Sequence, residues 1–149
     1  IQGLNRMQGF IRAFREKNIA FFPEMIITYT TEQEEEDFLN KLKGVLLSGE
    51  RPTGIVCYND EIAISVLNLL REPGLKVPDD ISIVGYDDSY LAEASETKIT
   101  SVTHPKMEMG VEAAKWVVSA VENRDKAGTY QKVYQPELVI RSSTKAISK

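Results

Sequence analysis

Apolar residues recur along this chain with two alternating patterns, one typical of helices and one of strands. Spacings of three and four residues, as in Met7, Phe10, Ile11 and Phe14, predict amphipathic helices, the first of them capped by Asn5. The predicted helices cover 5–14, 31–46, 59–70 and 105–122, and the predicted strands cover 25–29, 54–58, 81–86, 99–103 and, with a break at Pro136, 133–141. Strands that alternate with helices predict an α/β fold with a parallel sheet.

The bulk composition is that of an ordinary acidic globular chain. Its 149 residues, 42% of them hydrophobic, suffice for one domain with a core. The net charge of −4 makes this chain by itself a poor DNA binder, because phosphate recognition requires a basic face. No apolar run approaches the about 18 residues of a membrane span. The single cysteine, Cys57, excludes an internal disulfide, which fits a reducing compartment.

Polar residues follow two of the predicted strands at their carboxyl ends. Asp87 and Asp88 come directly after the apolar strand 81–86, and Asn59 follows the strand 54–58. Open parallel sheets bind their ligands at this edge. We therefore expect Asn59 and Asp87 to face one crevice, where carboxylate and amide groups suit the hydroxyls of a polyol.

Three further residues are candidates for the same site. Arg6, at the start of the first helix, adds a fork of donors at this edge, provided that a strand precedes it. Tyr29 and Tyr58 end their predicted strands, where an aromatic ring can cover the apolar face of a sugar.

Each candidate also has a purely structural explanation. Asn59 or Asp60 can cap the helix that follows, and Asp88 can cap the turn after its strand. Arg6 can be an exposed helix residue, the tyrosines can pack at the rim, and His104 fits a turn. The sequence has no nucleophile motif, metal-ligand cluster or phosphate-binding loop, so it predicts no catalytic residue, cofactor or metal.

The helix 59–70 is apolar over a much wider arc than the about 100° that packing on a sheet requires. Its apolar residues are Ile62, Ala63, Ile64, Val66, Leu67, Leu69 and Leu70. Such a helix is either enclosed in the core or turned toward a partner chain. Tyr90, Leu91 and Ala92 would extend a surface of the second kind.

Several motifs occur in the order typical of one protein family. They are NRMQGFIRAF at 5–14, YNDEIA at 58–63, VPDDISIVGYDDS at 77–89, TSVTHP at 100–105 and PELVIRSST at 136–144. In this series the chain resembles the effector-binding domain of the lactose/galactose repressor family. The motifs are most similar to those of arabinose-responsive members in Gram-positive bacteria, and they cover nearly the whole chain.

The resemblance implies two similar α/β lobes, each with a parallel, doubly wound sheet, around a sugar-binding cleft as in periplasmic sugar-binding proteins. It implies that Arg6, Asn59 and Asp87 contact the sugar, and that Asp88 serves local structure. It also implies a homodimer whose interface includes Ile64, Leu67, Asn68, Tyr90 and Leu91. Sugar binding would shift this dimer away from its operator-binding state.

The resemblance also divides the chain into unequal parts. Residues 1–104 match the carboxyl-terminal lobe without its first strand, 105–132 match a helix and linker of the other lobe, and 133–149 match a returning strand and tail. The DNA-binding head of the family and most of its first lobe have no counterpart here. We therefore expect weak or lost sugar affinity in this chain alone, and pairing with another copy to cover exposed apolar surface.

The expected function is the effector-binding and dimerisation part of a cytoplasmic, sugar-responsive transcription repressor. L-arabinose is the expected effector, and operator DNA is bound only through the absent head. Two other functions stay open at this point. A periplasmic sugar-binding receptor of a transporter shares the fold, and an enzyme of doubly wound fold would turn over pentoses although no nucleophile or metal constellation is recognisable.

Overall fold

From residue 54 onward, strands and helices alternate along the chain. The computed structural model describes residues 2–28, 35–49, 51–122 and 129–146. The helices are α1 (Gln2–Glu16), α2 (Glu35–Leu46), α3 (Asp60–Arg71), α4 (Tyr90–Ala94) and α5 (Lys106–Glu122). The strands are β1 (Gly54–Val56), β2 (Ser82–Asp87), β3 (Thr100–Thr103) and β4 (Leu138–Val139), and a short 3-10 helix covers Pro23–Met25.

The described strands form one sheet in the order β1-β2-β3-β4. β2 runs parallel to both of its neighbours, with Gly85 of β2 opposite Ser101 of β3. β4 lies at the edge and runs antiparallel to β3, so the predicted extended stretch 133–141 contributes one short strand. A mostly parallel sheet with connecting helices confirms the predicted α/β class.

The hydrophobic core lies between the sheet and helices α2, α3 and α4. Its buried residues are Phe38, Leu42, Leu46, Cys57, Ala63, Val66, Leu67, Leu69, Leu70, Ile81, Ile83, Ala92 and Ile99. Helix α3 contacts β2, α2 and α4, so enclosure in the core explains its broad apolar arc. Leu67 is 4% exposed; contrary to the prediction, its side chain fills its own core and offers no surface to a partner.

The predicted strand 25–29 does not form. Met25 ends the 3-10 helix, residues 26–28 belong to no described strand, and Tyr29 lies outside the described residues. A ladder needs a neighbouring strand, and among the described strands β1 at this edge pairs with β2 alone. The predicted cap at Asn5 is also wrong, because α1 already begins at Gln2 and includes Asn5.

Helices α1 and α5 lie at the periphery and bury little surface. Phe10 and Phe14 of α1 are half-buried, and their ring centroids are 4.8 Å apart. No residue of α5 is buried, and its Met107 and Val121 are 85% and 63% exposed. The apolar stripe predicted on 105–122 is therefore largely uncovered in this structure. Over the described ranges, no helix combines the length and apolar character that crossing a membrane requires.

Ser143 joins β2 and β3 just before their ladder begins at Val84 opposite Thr100. The buried hydroxyl of Ser143 donates to the carbonyl of Ile83 at 2.6 Å and accepts from the amide of Thr100 at 2.8 Å. The carbonyl of Ser143 accepts from the amide of Ile83 at 2.8 Å. Ser143 thus supplies hydrogen bonds to both strands at the point just before they begin to pair with each other.

Replacing this serine, Ser143→Ala, is expected to lower the free energy of unfolding by about 2 kcal/mol, because two buried backbone groups lose a partner. Urea unfolding followed by circular dichroism measures the change. Ser142→Ala is the matched control, since the Ser142 hydroxyl is exposed and makes one long hydrogen bond of 3.3 Å. Its effect should stay below about 0.5 kcal/mol. Equal stability of the two variants would contradict the role given to Ser143.

Candidate functional site

The carboxyl ends of β1, β2 and β3 meet at one edge of the sheet, with Asp87 at the centre. Asp87 is the last residue of β2, Asn59 lies shortly after β1, and His104 follows β3. Asp87 and Asp88 have φ angles of 99° and 45°, in a region that few non-glycine residues adopt. The backbone therefore turns sharply away from the sheet here, and the two carboxylates take different partners.

The carboxylate of Asp87 is surrounded by nitrogen atoms from three elements. Its Oδ1 lies 3.2 Å from Nδ1 of His104 and 3.6 Å from a guanidinium nitrogen of Arg6. Its Oδ2 lies 3.7 Å from the ammonium of Lys106, at the start of α5. The side chain keeps 21% of its surface exposed. Because a carboxylate has about four acceptor positions, a ligand hydroxyl can still donate to it.

Arg6 reaches this edge from α1 and contacts two tyrosine rings. Its guanidinium carbon lies 3.7 Å from the ring centre of Tyr86 and 4.5 Å from that of Tyr58. One guanidinium nitrogen donates to the carbonyl of Tyr58 at 2.6 Å. The structure thus brings Arg6 to Asp87, as the sequence predicts, while the ring of Tyr58 packs on Arg6. The stacking of Tyr58 on a sugar stays a prediction, and it would use the part of the Tyr58 ring that Arg6 does not cover.

Asn59 lies at the same edge, and its side chain caps α3. Its Oδ1 accepts a hydrogen bond from the amide of Ile62 at 2.9 Å, and its backbone is extended as at other N-caps. The structural explanation of Asn59 is therefore correct. A ligand contact remains compatible with it, because the side-chain NH2 group is separate from the capping oxygen.

Asp60 builds this edge in a way that the sequence does not predict. Its buried carboxylate accepts from the hydroxyl of Ser101 and from the amide of Ser89, both at 2.6 Å. Gly85 lies against it, and a Cβ there would collide with Oδ1. Asp60 thus ties α3 to β3 and to the turn after β2. Burial raises the pKa of the neighbouring Cys57 thiol to about 12, and the charge of Asp60 adds to that shift.

Asp88 points to the C-terminal segment and serves the fold. Its carboxylate pairs with the guanidinium of Arg141 at 2.7 Å, and its amide donates to the hydroxyl of Ser101 at 3.1 Å. Arg141 also donates to the carbonyl of Ile99 at 2.9 Å. Asp88 therefore acts through an ion pair and not through the predicted cap.

An open cleft of about 520 Å³ adjoins Asp87 on the side of His104. Its walls come from the end of β2, the turn between β3 and α5, and the segment 132–135, including Tyr134. This volume lies within the range of small-molecule sites. In the part of the chain that the structure describes, no group of three or more metal-binding side chains lies close enough together to hold an ion.

The predicted partner surface is unevenly exposed. Tyr90 is 82% exposed, Leu91 is 44% exposed and Asn68 is exposed as well, whereas Ile64 is half-buried. With Leu67 excluded by its burial, these four side chains remain a predicted contact surface. They lie on α3 and α4, which pack against each other.

His104 and Lys106 are neighbours of Asp87 that the sequence interpretation misses. The rule that located Asn59 and Asp87, a polar side chain directly after a strand, applies equally to His104 after the predicted strand 99–103. Lys106 carries no such signal, because a lysine in the first turn of a helix is ordinarily a solvated residue.

Comparison with known proteins identifies the protein family to which this chain belongs. The model of the periplasmic binding protein-like domain matches residues 2–144, and the chain belongs to that family. The resemblance to the effector-binding domain of the lactose/galactose repressor family is confirmed by its relatives of known name and structure.

One relative is the arabinose metabolism transcriptional repressor of Halalkalibacterium halodurans, 48% identical over 97% of this chain and 40% of its own length. A solved transcriptional regulator LacI of Bacillus cereus subsp. cytotoxis has a TM-score of 0.80 at 26% identity, over 94% of this chain and 49% of that structure. A solved complex of the transcriptional regulator CelR with cellobiose has a TM-score of 0.74 at 27% identity, over 94% and 42%. The chain therefore spans less than half the length of these relatives.

Proposed function

We propose that this chain is the effector-binding and dimerisation part of a sugar-responsive transcription repressor, with Asp87 at the centre of the sugar site. The observation that carries the proposal is the partly exposed carboxylate of Asp87 where three strand ends meet, with Arg6 3.6 Å away. Vicinal sugar hydroxyls donate to a carboxylate and accept from a guanidinium, so this pair suits a polyol. The cellobiose complex of a protein of the same fold supports a sugar as the ligand class.

The chain supplies one wall of this site. Residues 1–104 form the carboxyl-terminal lobe without its first strand. Residues 105–132 are the helix and linker that belong to the other lobe, and residues 133–149 are the returning strand and tail. The exposed apolar stripe of α5, with Met107 at 85%, supports this division, because such a stripe needs a covering partner. A bound sugar switches the protein only if it prefers one arrangement of the lobes.

L-arabinose is the proposed effector, on the strength of the 48% identity to a repressor of arabinose metabolism. The proposed protein is a cytoplasmic homodimer that uses Ile64, Asn68, Tyr90 and Leu91 as contacts and reaches operator DNA through a separate head. Sugar binding releases the DNA. The proposed protein binds its effector without catalysis and without a cofactor. Because the named relatives are transcription regulators, a periplasmic receptor is not favoured.

Asp87→Ala and Arg6→Ala in the full-length gene product are each expected to weaken L-arabinose binding by on the order of 1–3 kcal/mol, because each leaves polar groups in the closed site without a partner. Isothermal titration calorimetry measures the affinities. A gel-shift assay with operator DNA then tests whether the sugar concentration needed for release rises in parallel.

Two exposed residues of the same types serve as controls for these variants. Arg12→Ala removes an arginine of α1 that is 78% exposed, and Asp79→Ala removes an aspartate that is 66% exposed. Both should bind L-arabinose like the wild-type protein. Because Arg6 also joins α1 to the sheet edge, circular dichroism of Arg6→Ala must show a folded protein. Unchanged affinity in both Asp87→Ala and Arg6→Ala would refute the site.

A further inference from the structure

His104 lies next to Asp87, and the proposed sugar site gives it no role. Its Nδ1 lies 3.2 Å from Oδ1 of Asp87. A carboxylate can only accept hydrogen bonds, so Nδ1 of His104 must be the donor. This contact fixes which ring nitrogen carries a proton and which way the imidazole faces.

Four side chains close a ring of contacts at this edge. Arg6 lies 3.6 Å from Asp87, Asp87 lies 3.2 Å from His104, and the rings of His104 and Tyr86 meet edge to face at 6.4 Å. The cycle of contacts is completed by Tyr86, whose ring centre lies 3.7 Å from the guanidinium carbon of Arg6. His104 is therefore held from two sides, by Asp87 and by Tyr86, and is 28% exposed.

The two oxygens of Asp87 differ in how fully they are occupied. Oδ1 lies 3.2 Å from His104 and 3.6 Å from Arg6, and Oδ2 lies 3.7 Å from the ammonium of Lys106, so of these three contacts the one with His104 is within hydrogen-bond distance. The side chain of Lys106 is 57% exposed, so a ligand hydroxyl can displace it at little cost. Oδ2 is thus the oxygen that is open to a ligand.

We propose that His104 is a positioning residue of the sugar site. It donates to Oδ1 of Asp87 and so holds the carboxylate with Oδ2 free to accept from a ligand hydroxyl. Asp87 needs this support because its backbone lies in the left-handed region and its side chain stands at a partly exposed rim. This role rests on the proposed function, and it assigns the ligand contact to Asp87 and the orientation to His104.

Two amide substitutions separate this role from a direct sugar contact. The amide of asparagine sits near the position of Nδ1 of histidine, and that of glutamine sits near Nε2. In the full-length gene product, His104→Asn should bind L-arabinose within about threefold of wild type. His104→Gln and His104→Ala should bind about tenfold more weakly or worse, because a hydrogen bond to a charged group is lost.

The opposite ranking overturns the proposal. If His104→Gln binds like wild type while His104→Asn does not, the imidazole contacts the sugar through Nε2. If His104→Ala binds like wild type, the residue has no role in the site. No binding of L-arabinose by the wild-type protein overturns the proposed function, and this role of His104 falls with it.

A second measurement needs no sugar. His104 is the single histidine of the sequence, so its ring nitrogens give one unambiguous set of NMR signals. At a pH above the range in which histidines titrate, long-range 1H–15N spectra should show the Nδ1-protonated tautomer. Asp87→Ala should abolish that preference, while Asp79→Ala should leave it unchanged. An Nε2-protonated ring in the wild-type chain would overturn the proposed contact with Asp87.

Discussion

Asp60→Ala is expected to lower the free energy of unfolding by about 3 kcal/mol, because the amide of Ser89 and the hydroxyl of Ser101 lose a buried acceptor together. Ser89 is in the turn after β2, and the hydroxyl of Ser101 accepts from the amide of Asp88, so the loss also loosens the turn that follows Asp87. Urea unfolding of the 149-residue chain gives the change directly.

Two further variants sharpen this measurement. Glu61→Ala is the matched control, because Glu61 is the next residue of α3 and is exposed, so its loss should cost less than about 0.5 kcal/mol. Asp60→Asn keeps the shape and one acceptor oxygen but turns an NH2 group toward a donor. Its loss of unfolding free energy should therefore lie between those of Glu61→Ala and Asp60→Ala. Asp60→Ala as stable as Glu61→Ala would show that the carboxylate does not hold this edge together.

Gly85→Ala is expected to cost about 3 kcal/mol as well, through a different mechanism. The new methyl group would collide with Oδ1 of Asp60 and would lie 3.1 Å from a methyl carbon of Ile99. Neither neighbour can easily move, since Asp60 is fixed by two hydrogen bonds and Ile99 is fully buried. Thermal unfolding and urea titration measure the loss.

A double-mutant cycle tests that mechanism. In the background of Asp60→Ala the collision with Oδ1 disappears, so Gly85→Ala should cost at least about 1 kcal/mol less than in wild type. Gly44→Ala is the control for the glycine replacement itself, because α2 leaves open space there and alanine favours helix by about 0.5–1 kcal/mol. Strict additivity of the cycle would reject the proposed contact between Gly85 and Asp60.

Local patterning located most elements because apolar periodicity reports directly which face of an element is buried. The predicted helix 59–70 and strand 81–86 differ from α3 and β2 by one residue at each end. Segment 25–29 has the same strand-like composition, but a ladder depends on the strand beside it, and composition does not record that neighbour. The burial of Leu67 is missed for a similar reason. Its helix α3 is enclosed by α2, which precedes it in the chain, and by β2 and α4, which follow it, and the pattern within the helix does not record these neighbours.

The site could be predicted in part, for the same reason. Asp87 ends β2 and Asn59 lies shortly after β1, so a general rule about sheet edges finds them. Arg6 is found from its place at the start of the first helix, and the family resemblance assigns it to the sugar. Asp60 escapes such rules, because an acid in the first turn of a helix ordinarily faces solvent and the helix dipole. Its burial depends on a hydroxyl that lies 41 residues further along the chain and on a glycine in a different strand.

The hydrogen bonds of Ser143 constrain how this protein is made. Ile83 and Ser143 are 60 residues apart in sequence, so a ribosome must translate 60 residues beyond Ile83 before the junction of β2 and β3 can close. Until Ser143 leaves the exit tunnel, this junction of the nascent sheet stays open. The junction between β2 and β3 therefore forms only after β2, β3 and Ser143 are all available, and a truncation that removes Ser143 costs the sheet these hydrogen bonds.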